Sequence, residues 1–550
     1  MIQRAAALAA SLSLALAFPA ASPAAEAPTA GSRNKPERLE WFRDLGFGLF
    51  IHWSVDAPLG GVISHSLVGA DADYTRRFFE QLPAAFNPGK LQPEDWATLA
   101  KLAGMKYVVF TTKHHAGFCM FETRTTPFNV MNTPYAQDVT RRIVDAFRRE
   151  GLAIGFYFSP DDFHYLHGAG KTVARAPHRG VTPQEDPGLL QLDQAQLREL
   201  MTNYGKVDVV FLDGPAEGLR DVVWDLQPDA VVTRGAIDTP EQRLLAVPLD
   251  RAWEACVTMG TEWPYKPAHE SYKSPTELVE MLVETRAKGG NLLLNVGPKP
   301  DGELPIEQEE RLRHLALWSF VNGEAIHDVR PWVVANEGDV WFTRRRDGAA
   351  VYAIVTRASW PLGERKGFTL RSVKATPRTR VTVLGQSGQV LEYRPDVDPR
   401  PSWKQDHDGL HVSAMMAQRL YTDRKWVDPV VLKITDAEPG LRPPIVVTGT
   451  ATRHPGGTSA TLRAELRDLG QAASVAVGFR YRRQKSVEEL YAPDEKWMDT
   501  PLSSRTAPGP YTAEVGSLRA DQAYEFRAMV KHPLLTIHGE DAVLAVEAAR

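Results

Sequence analysis

From Trp41 to about Pro331, short runs of apolar, β-favouring residues alternate with longer stretches whose apolar positions recur at helical spacing. Lys106–Thr112, Leu152–Phe158, Val207–Leu212, Ala230–Thr233 and Asn291–Asn295 are the strand-like runs. Helices are predicted over Pro93–Ala103, ended by Gly104, over Thr140–Glu150 with Ile143, Ala146 and Phe147 on one face, over about Gln194–Tyr204, and over Ser274–Lys288 before the break Gly289-Gly290. Continuously apolar strands separated by amphipathic helices imply a parallel sheet covered on both faces. A segment of about 300 residues suits an eight-stranded (β/α) barrel better than an open doubly wound sheet. No glycine-rich dinucleotide fingerprint follows the first strand, which weakens the open-sheet alternative further.

Beyond Trp332 the period changes to that of short strands separated by turn residues. Asp339–Arg344, Ala349–Val355, Arg380–Leu384 and Leu410–Val412 predict a small β-sandwich to about Asp436. A proline-rich joint, Pro439–Pro444, leads to a last all-β unit with strands at Ser459–Ala464, Val475–Tyr481 and Tyr524–Val530, the pattern of an immunoglobulin- or fibronectin-like sandwich. The expected division is residues 1–25 leader, 26–37 linker, 38–335 (β/α)8-like barrel, 336–438 β-sandwich and 439–550 second β-sandwich. Such a multidomain plan agrees with a chain of 550 residues, which exceeds one compact core.

The N-terminus adds a destination. Arg4, the apolar run Ala5–Phe18 and the small residues Pro19–Ala25 follow the order of a secretory signal peptide cleaved between Ala21 and Ala25, so export to a periplasm or the exterior is expected. The apolar run is shorter than the roughly 20 residues a spanning helix needs, so no membrane association is expected after cleavage. A formal net charge of −4 with no basic excess argues against nucleic acid as a partner. Two cysteines, Cys119 and Cys256, make no disulfide scaffold, and their pairing is not readable from spacing. Nor is the oligomeric state.

Candidate chemistry collects where apolar runs stop. Asp213 ends Val209–Leu212 and precedes Gly214-Pro215, so its carboxylate should emerge at the C-terminal end of a strand, where barrel enzymes place catalytic groups. The ordinary role of such a residue is a loop carboxylate or a helix cap. Glu254 beside Trp253, and Glu262 beside Trp263, each put a carboxyl next to an indole that could keep it protonated near neutral pH, as a general acid requires. The residue pattern does not choose between them. His114 and His115 follow a strand, and His52-Trp53 ends another, with Trp53 equally suited to a core or a sugar platform. Adjacent imidazoles suit hydroxyl binding better than metal ligation, which favours HxH or HxxxH spacing, so no metal or other cofactor is expected. A metal-dependent hydrolase built on His52, His114 and His115 is the rival, decided by a chelator. Histidines, aromatic faces and two carboxyls are what a glycosidase pocket needs.

In combination, Trp41-Phe42 with Phe47–Trp53, Lys106–Phe118, Tyr204-Gly205 with Val207–Gly214, Trp253-Glu254 and Gly289–Pro298 resemble the α-L-fucosidases of glycoside hydrolase family 29, over about residues 38–335. The resemblance implies an exo-acting, retaining enzyme that releases terminal α-L-fucose from oligosaccharides or glycoconjugates. It implies Asp213 as nucleophile, Glu254 in preference to Glu262 as acid/base, and His52, His114, His115, Tyr157 and Phe211 around the sugar; Trp53 and Trp253 are further substrate-binding candidates from the residue pattern itself. The alternative is a catalytically impaired fucose-binding homologue of the same fold. Three departures stand out. Ala116 replaces the aspartate many members carry after the histidine pair, and Phe211 replaces a more frequent tryptophan. Val62–Ser66 and Asp71–Phe79 occupy the region of a Glu-Trp-Tyr stretch.

Overall fold

The computed structural model describes residues 31–420, 427–486, 489 and 495–546. The leader expected over residues 1–25 lies outside these. Seven parallel strands form the first sheet: β1 (Phe47–Ile51), β2 (Tyr107–Lys113), β3 (Ala153–Phe158), β4 (Val209–Leu212), β5 (Val231–Val232), β6 (Glu254–Thr258) and β7 (Asn291–Val296), in the order β5-β4-β3-β2-β1-β7-β6. All but the first residue of β3 are buried, the signature of a sheet enclosed on both sides.

Helices cover the outside: α1 (Pro36–Leu45) before β1, α2 (Ala72–Ala85) and α3 (Pro93–Leu102) after it, α4 (Val139–Arg149) after β2, α5 (Phe163–Gly168) and α6 (Pro187–Asn203) after β3, α7 (Arg220–Leu226) after β4, α8 (Pro275–Ala287) after β6 and α9 (Ile306–Asn322) after β7. Local signals set their ends. Asp138 accepts a hydrogen bond from Arg141 N to start α4, and Ser274 forms a capping box with Glu277 at α8. Ile143, Ala146 and Phe147 are buried on the face of α4 that the spacing predicts.

The barrel departs from eight regular strands between β5 and β6. No helix occurs there among the described residues, and the eighth place is taken by an irregular segment bridging to β6 at Asp238↔Trp253 and Glu241↔Cys256. Pro240 lies inside it and has no amide hydrogen for a ladder, but its carbonyl still accepts from Cys256 N at 3.1 Å.

Strand alternation fixes what faces the barrel interior. Gly48, Phe50 and His52 point inward from the first strand and its end, as do Tyr107 and Val109, Tyr157, Phe211 and Asp213, and Glu254 and Cys256. At Gly48 a Cβ would come 2.4 Å from the Tyr107 ring, so only glycine lets that ring fill the lower barrel. At Gly290 a Cβ would come 2.2 Å from the Trp253 ring on the outer side of β6, which accounts for the glycine pair before β7.

The second unit is a two-layer sandwich. One sheet is ordered β12 (Val373–Val383), β15 (Val430–Pro439), β10 (Ala350–Val355), β9 (Val340–Arg345) and β8 (Val329–Glu337); the other is β11 (Arg365–Leu370), β14 (Gly409–Met415) and β13 (Ser402–Asp406). The strand β8 begins at Val329, so this sheet starts inside the span assigned to the barrel from sequence. The third unit pairs β16 (Ile445–Arg453), β17 (Ala460–Asp468) and β21 (Gly509–Val515) against a sheet of β19 (Met498–Asp499), β18 (Val475–Arg483), β22 (Tyr524–His532) and β23 (Leu535–His538), with β20 (Ser503–Arg505) and β24 (Ala542–Leu544) at its sides. Its core runs from Val446 to Leu544 and includes Phe479, Tyr511 and Phe526. No described helix is long and apolar enough to cross a membrane.

Candidate active site

A cavity of about 120 Å³ opens at the C-terminal ends of the barrel strands. Its wall contains His52, His114, His115, Tyr157, Phe211 and Asp213, six of the residues expected from sequence. The Asp213 carboxylate sits just beyond β4, with its amide bonded to Phe158 O at 3.0 Å. The Tyr157 hydroxyl donates to Asp213 Oδ2 at 2.7 Å, His115 Nε2 stands 3.6 Å from the same oxygen, and Arg234 Nε lies 3.3 Å from Oδ1. Burial opposes ionisation of this carboxyl, but Arg234 and Arg175 outweigh it and hold it well below the usual carboxylate range. The group is an anion at neutral pH.

Three of the histidines are fixed in the same manner, through Nδ1. His52 Nδ1 is 2.6 Å from Asn295 Oδ1, and Asn295 Nδ2 donates to Trp263 O, so Oδ1 is the acceptor and His52 donates from Nδ1. His114 Nδ1 is 2.9 Å from Ser64 Oγ and His115 Nδ1 is 2.6 Å from Ser159 Oγ. Each ring therefore leaves Nε2 for the pocket. Burial pushes His52 down to about 4 and the adjacent pair well below the ordinary histidine range, so all three are neutral near pH 7. Lys113 anchors the loop they sit on from the far side of β2, with Nζ 2.7 Å from Asp193 and 3.4 Å from Asp162, all three buried.

One wall is apolar. Phe50, Ile63, Phe211 and Trp263 line it, with the Phe50 ring 5.3 Å from Phe211 and 5.8 Å from Trp263.

Similarity to known proteins bears on this arrangement. A family model described as alpha-L-fucosidase matches residues 15–324. Tissue alpha-L-fucosidase of Homo sapiens is 30% identical over 416 residues, 68% of this chain and 85% of that protein. The chain belongs to the α-L-fucosidase family. Plasma alpha-L-fucosidase of Rattus norvegicus is likewise 30% identical over 411 residues, 65% of this chain and 85% of its own length. Among solved structures, alpha-L-fucosidase isoenzyme 1 from Paenibacillus thiaminolyticus superposes with a TM-score of 0.59 at 27% identity, covering 73% of this chain and 99% of that one. Thermotoga maritima alpha-fucosidase in complex with fucose gives 0.56 at 25% identity, covering 72% and 96%. Like its family, the chain is a glycosidase.

Against the expectation from sequence, three residues are absent from the lining of this cavity: Trp53, Trp253 and Glu254. Trp53 follows inward-facing His52 and therefore points outward, fully buried against Phe86 and Trp96. Trp253 likewise faces the outer side of β6, and its indole donates to Lys288 O at 3.2 Å. Glu254 faces inward but at the first residue of β6, two positions below Cys256, which already forms the pocket wall. Its Oε2 accepts from the Tyr107 hydroxyl at 2.5 Å, in a polar bottom layer with Asn291, whose side chain bonds Phe42 O and Arg286. Burial pushes Glu254 up to about 7. The indole-neighbour argument thus finds a protonated carboxyl, but at the wrong end of the strand. Glu262 lies in the loop after β6 beside the pocket residue Trp263, half-buried, with its pKa raised by burial and by Glu270 and partly restored by Lys266.

The fucosidase pocket also holds residues not anticipated: His65, Arg175, Arg234, Glu241 and Cys256. Arg234 follows a strand end, as Asp213 does, and inward alternation from Glu254 reaches Cys256, so both had a signal. His65, Arg175 and Glu241 come from irregular loops and had none. Glu241 pairs with Arg234 at 3.2 Å and so steadies the guanidinium beside Asp213. Cys119 and Cys256 are both free and buried.

Proposed function

We propose that Asp213 is the nucleophile with which this glycosidase releases terminal α-L-fucose from fucosylated oligosaccharides or glycoconjugates, and that Glu262 is its acid/base. The observation that carries the reading is the Asp213 carboxylate: ionised, one-fifth exposed to the cavity, and held by Tyr157 and Arg234 on a rigid strand end. In the first displacement Asp213 attacks the anomeric carbon while an acid protonates the departing glycosidic oxygen; in the second, water deprotonated by the same group releases fucose with retained configuration. The neutral imidazoles of His52, His114 and His115 present Nε2 to the sugar hydroxyls. Phe50, Ile63, Phe211 and Trp263 offer the apolar surface that the C5 methyl group needs.

Glu262 is preferred for proton transfer because it lies in the loop after β6, next to the cavity residue Trp263, and its environment favours the protonated form. Glu241 lines the cavity and shares Arg234 with Asp213, which makes it the second carboxyl to test, and Glu270, in the same loop as Glu262, accepts hydrogen bonds from Thr261 and Ser271. Asp213→Gly should lower kcat on an aryl α-L-fucoside by at least three orders of magnitude without unfolding the protein, and azide should restore turnover. Glu262→Gln should hit poor leaving groups hardest and regain rate with azide. Retention of full activity by Asp213→Gly removes the nucleophile assignment; azide rescue of Glu241→Gln, Glu270→Gln or Glu254→Gln in place of Glu262→Gln reassigns the acid. The order of charge, apolar run and small residues at the N-terminus supports an exported enzyme, to be checked by N-terminal sequencing of the mature protein for cleavage between Ala21 and Ala25.

A further inference from the structure

Of the four histidines around the pocket, His65 is the exception. Its ring lies 5.2 Å from His115 and 6.2 Å from His114, edge-on to both. Yet among the described residues neither of its nitrogens has a hydrogen-bond partner, whereas the other three rings are each anchored through Nδ1. Nothing about its backbone is loose. Ser64 N donates to the buried Asp56 at 2.6 Å, His65 N donates to Ile63 O at 2.7 Å, and Ser64 adopts φ +61°, a conformation an L-residue keeps only when its surroundings impose it. The loop is built to hold an imidazole at the cavity without satisfying it.

Arg175 repeats the pattern on the same wall. Its Nε donates to Asp161 Oδ2 at 2.6 Å, and Asp161 is itself fixed by its amide bond to Ser159 Oγ, the group that anchors His115. Among the described residues Nη1 and Nη2 have no hydrogen-bond partner. A guanidinium only donates, while a neutral imidazole both donates and accepts. Together they match two neighbouring hydroxyls, one held as acceptor by Arg175 and one bridged by His65. An anionic group is a poorer fit, because Asp213, Glu241 and Asp161 already crowd the two arginines.

We propose that His65 and Arg175 form a hydroxyl-reading edge of the pocket and set which sugar configuration it accepts. This rests on the reading of the pocket as a fucose site. The test uses an aryl α-L-fucoside and its 2-, 3- and 4-monodeoxy analogues with the full-length wild type, His65→Ala, His65→Gln and Arg175→Lys. On the parent fucoside His65→Ala should lose about tenfold or more in kcat/KM, the scale of one hydrogen bond made to a bound ligand, and His65→Gln should recover part of it. On one analogue, that lacking the hydroxyl His65 reads, wild type and His65→Ala should become equal; a second analogue should do the same for Arg175→Lys. If each variant loses the same factor on every analogue, or loses nothing, the assignment is overturned while the fucose reading stands. If the wild type does not turn over the parent fucoside, both fall together.

Discussion

A buried imidazole that stays neutral ties the pocket to pH. His52 is 4% exposed, donates from Nδ1 to Asn295, and faces Asp213, His114, Tyr157 and Trp263; its folded pKa of about 4 lies below its ordinary 6.5. The unfolded chain therefore takes up protons below pH 6.5 that the folded state refuses. Stability from this residue is fully present above pH 6.5 and is lost as pH falls towards 4, by about 2 kcal/mol between pH 7 and pH 5. Measured by urea unfolding, the stability advantage of the wild type over His52→Asn should shrink by that amount between pH 7 and pH 5; an advantage that does not change with pH would mean that this imidazole carries none of it. The histidines were legible in the chain because adjacency and a strand end are both visible one residue at a time. Their neutrality was not, since it comes from burial, and nor was their orientation, set by Asn295, Ser64 and Ser159, which lie 44 to 243 residues away.

At the scale of the element, two residues of register separate Glu254 from the cavity wall, which Cys256 forms on the same strand. The run Glu254–Thr258 is a strand, and the motif Trp253-Glu254 sits at its start, so the carboxyl belongs to the end of the barrel that carries stability. Asp213 was legible because its strand ends visibly at Gly214-Pro215. The start of β6 was not, because residues 233–253 carry neither helix nor regular strand to mark where the eighth place gives way. Glu254→Gln should accordingly act on stability and leave the alkaline limb of the pH–rate profile, where the general acid loses its proton, in place. The sign follows from its raised pKa: the folded state keeps a proton that the unfolded chain gives up, so the contribution of this residue to stability falls as pH rises from about 4.5 to about 7. In the glutamine variant that decline should vanish, with the Tyr107 hydroxyl still bonded to the amide oxygen. A pH–rate profile that loses its alkaline limb in Glu254→Gln would instead return the proton-transfer role to this residue.

At the scale of the whole molecule, the three units are joined unequally, and the difference predicts how they unfold. The barrel and the first sandwich share one core: Ala350, Tyr352, Ile354, Leu384 and Val431 pack with Leu312, Leu315 and Trp318 of α9, and the Trp318 indole donates to Pro429 O at 2.8 Å. That continuity was hidden from the hydrophobic pattern, which marks a change of period near Trp332 but not what the two patterns bury together. The terminal sandwich has a separate core; among the described residues Leu535 and Ile537 on β23 pack against the core of the first sandwich, and Arg251 of the barrel's irregular eighth segment pairs with Glu540 at 3.7 Å. Shared burial couples unfolding, whereas a narrow seam lets a unit melt alone. Calorimetry should resolve two transitions. Ile354→Ala, which opens a cavity in the shared core, should cost about 2–5 kcal/mol and lower the transition at which α-fucosidase activity is lost. Phe479→Ala, in the terminal core, should lower only the other transition and leave the temperature of activity loss where it was. A single transition shifted equally by both substitutions would show instead that the narrow seam is enough to make all three units one cooperative body.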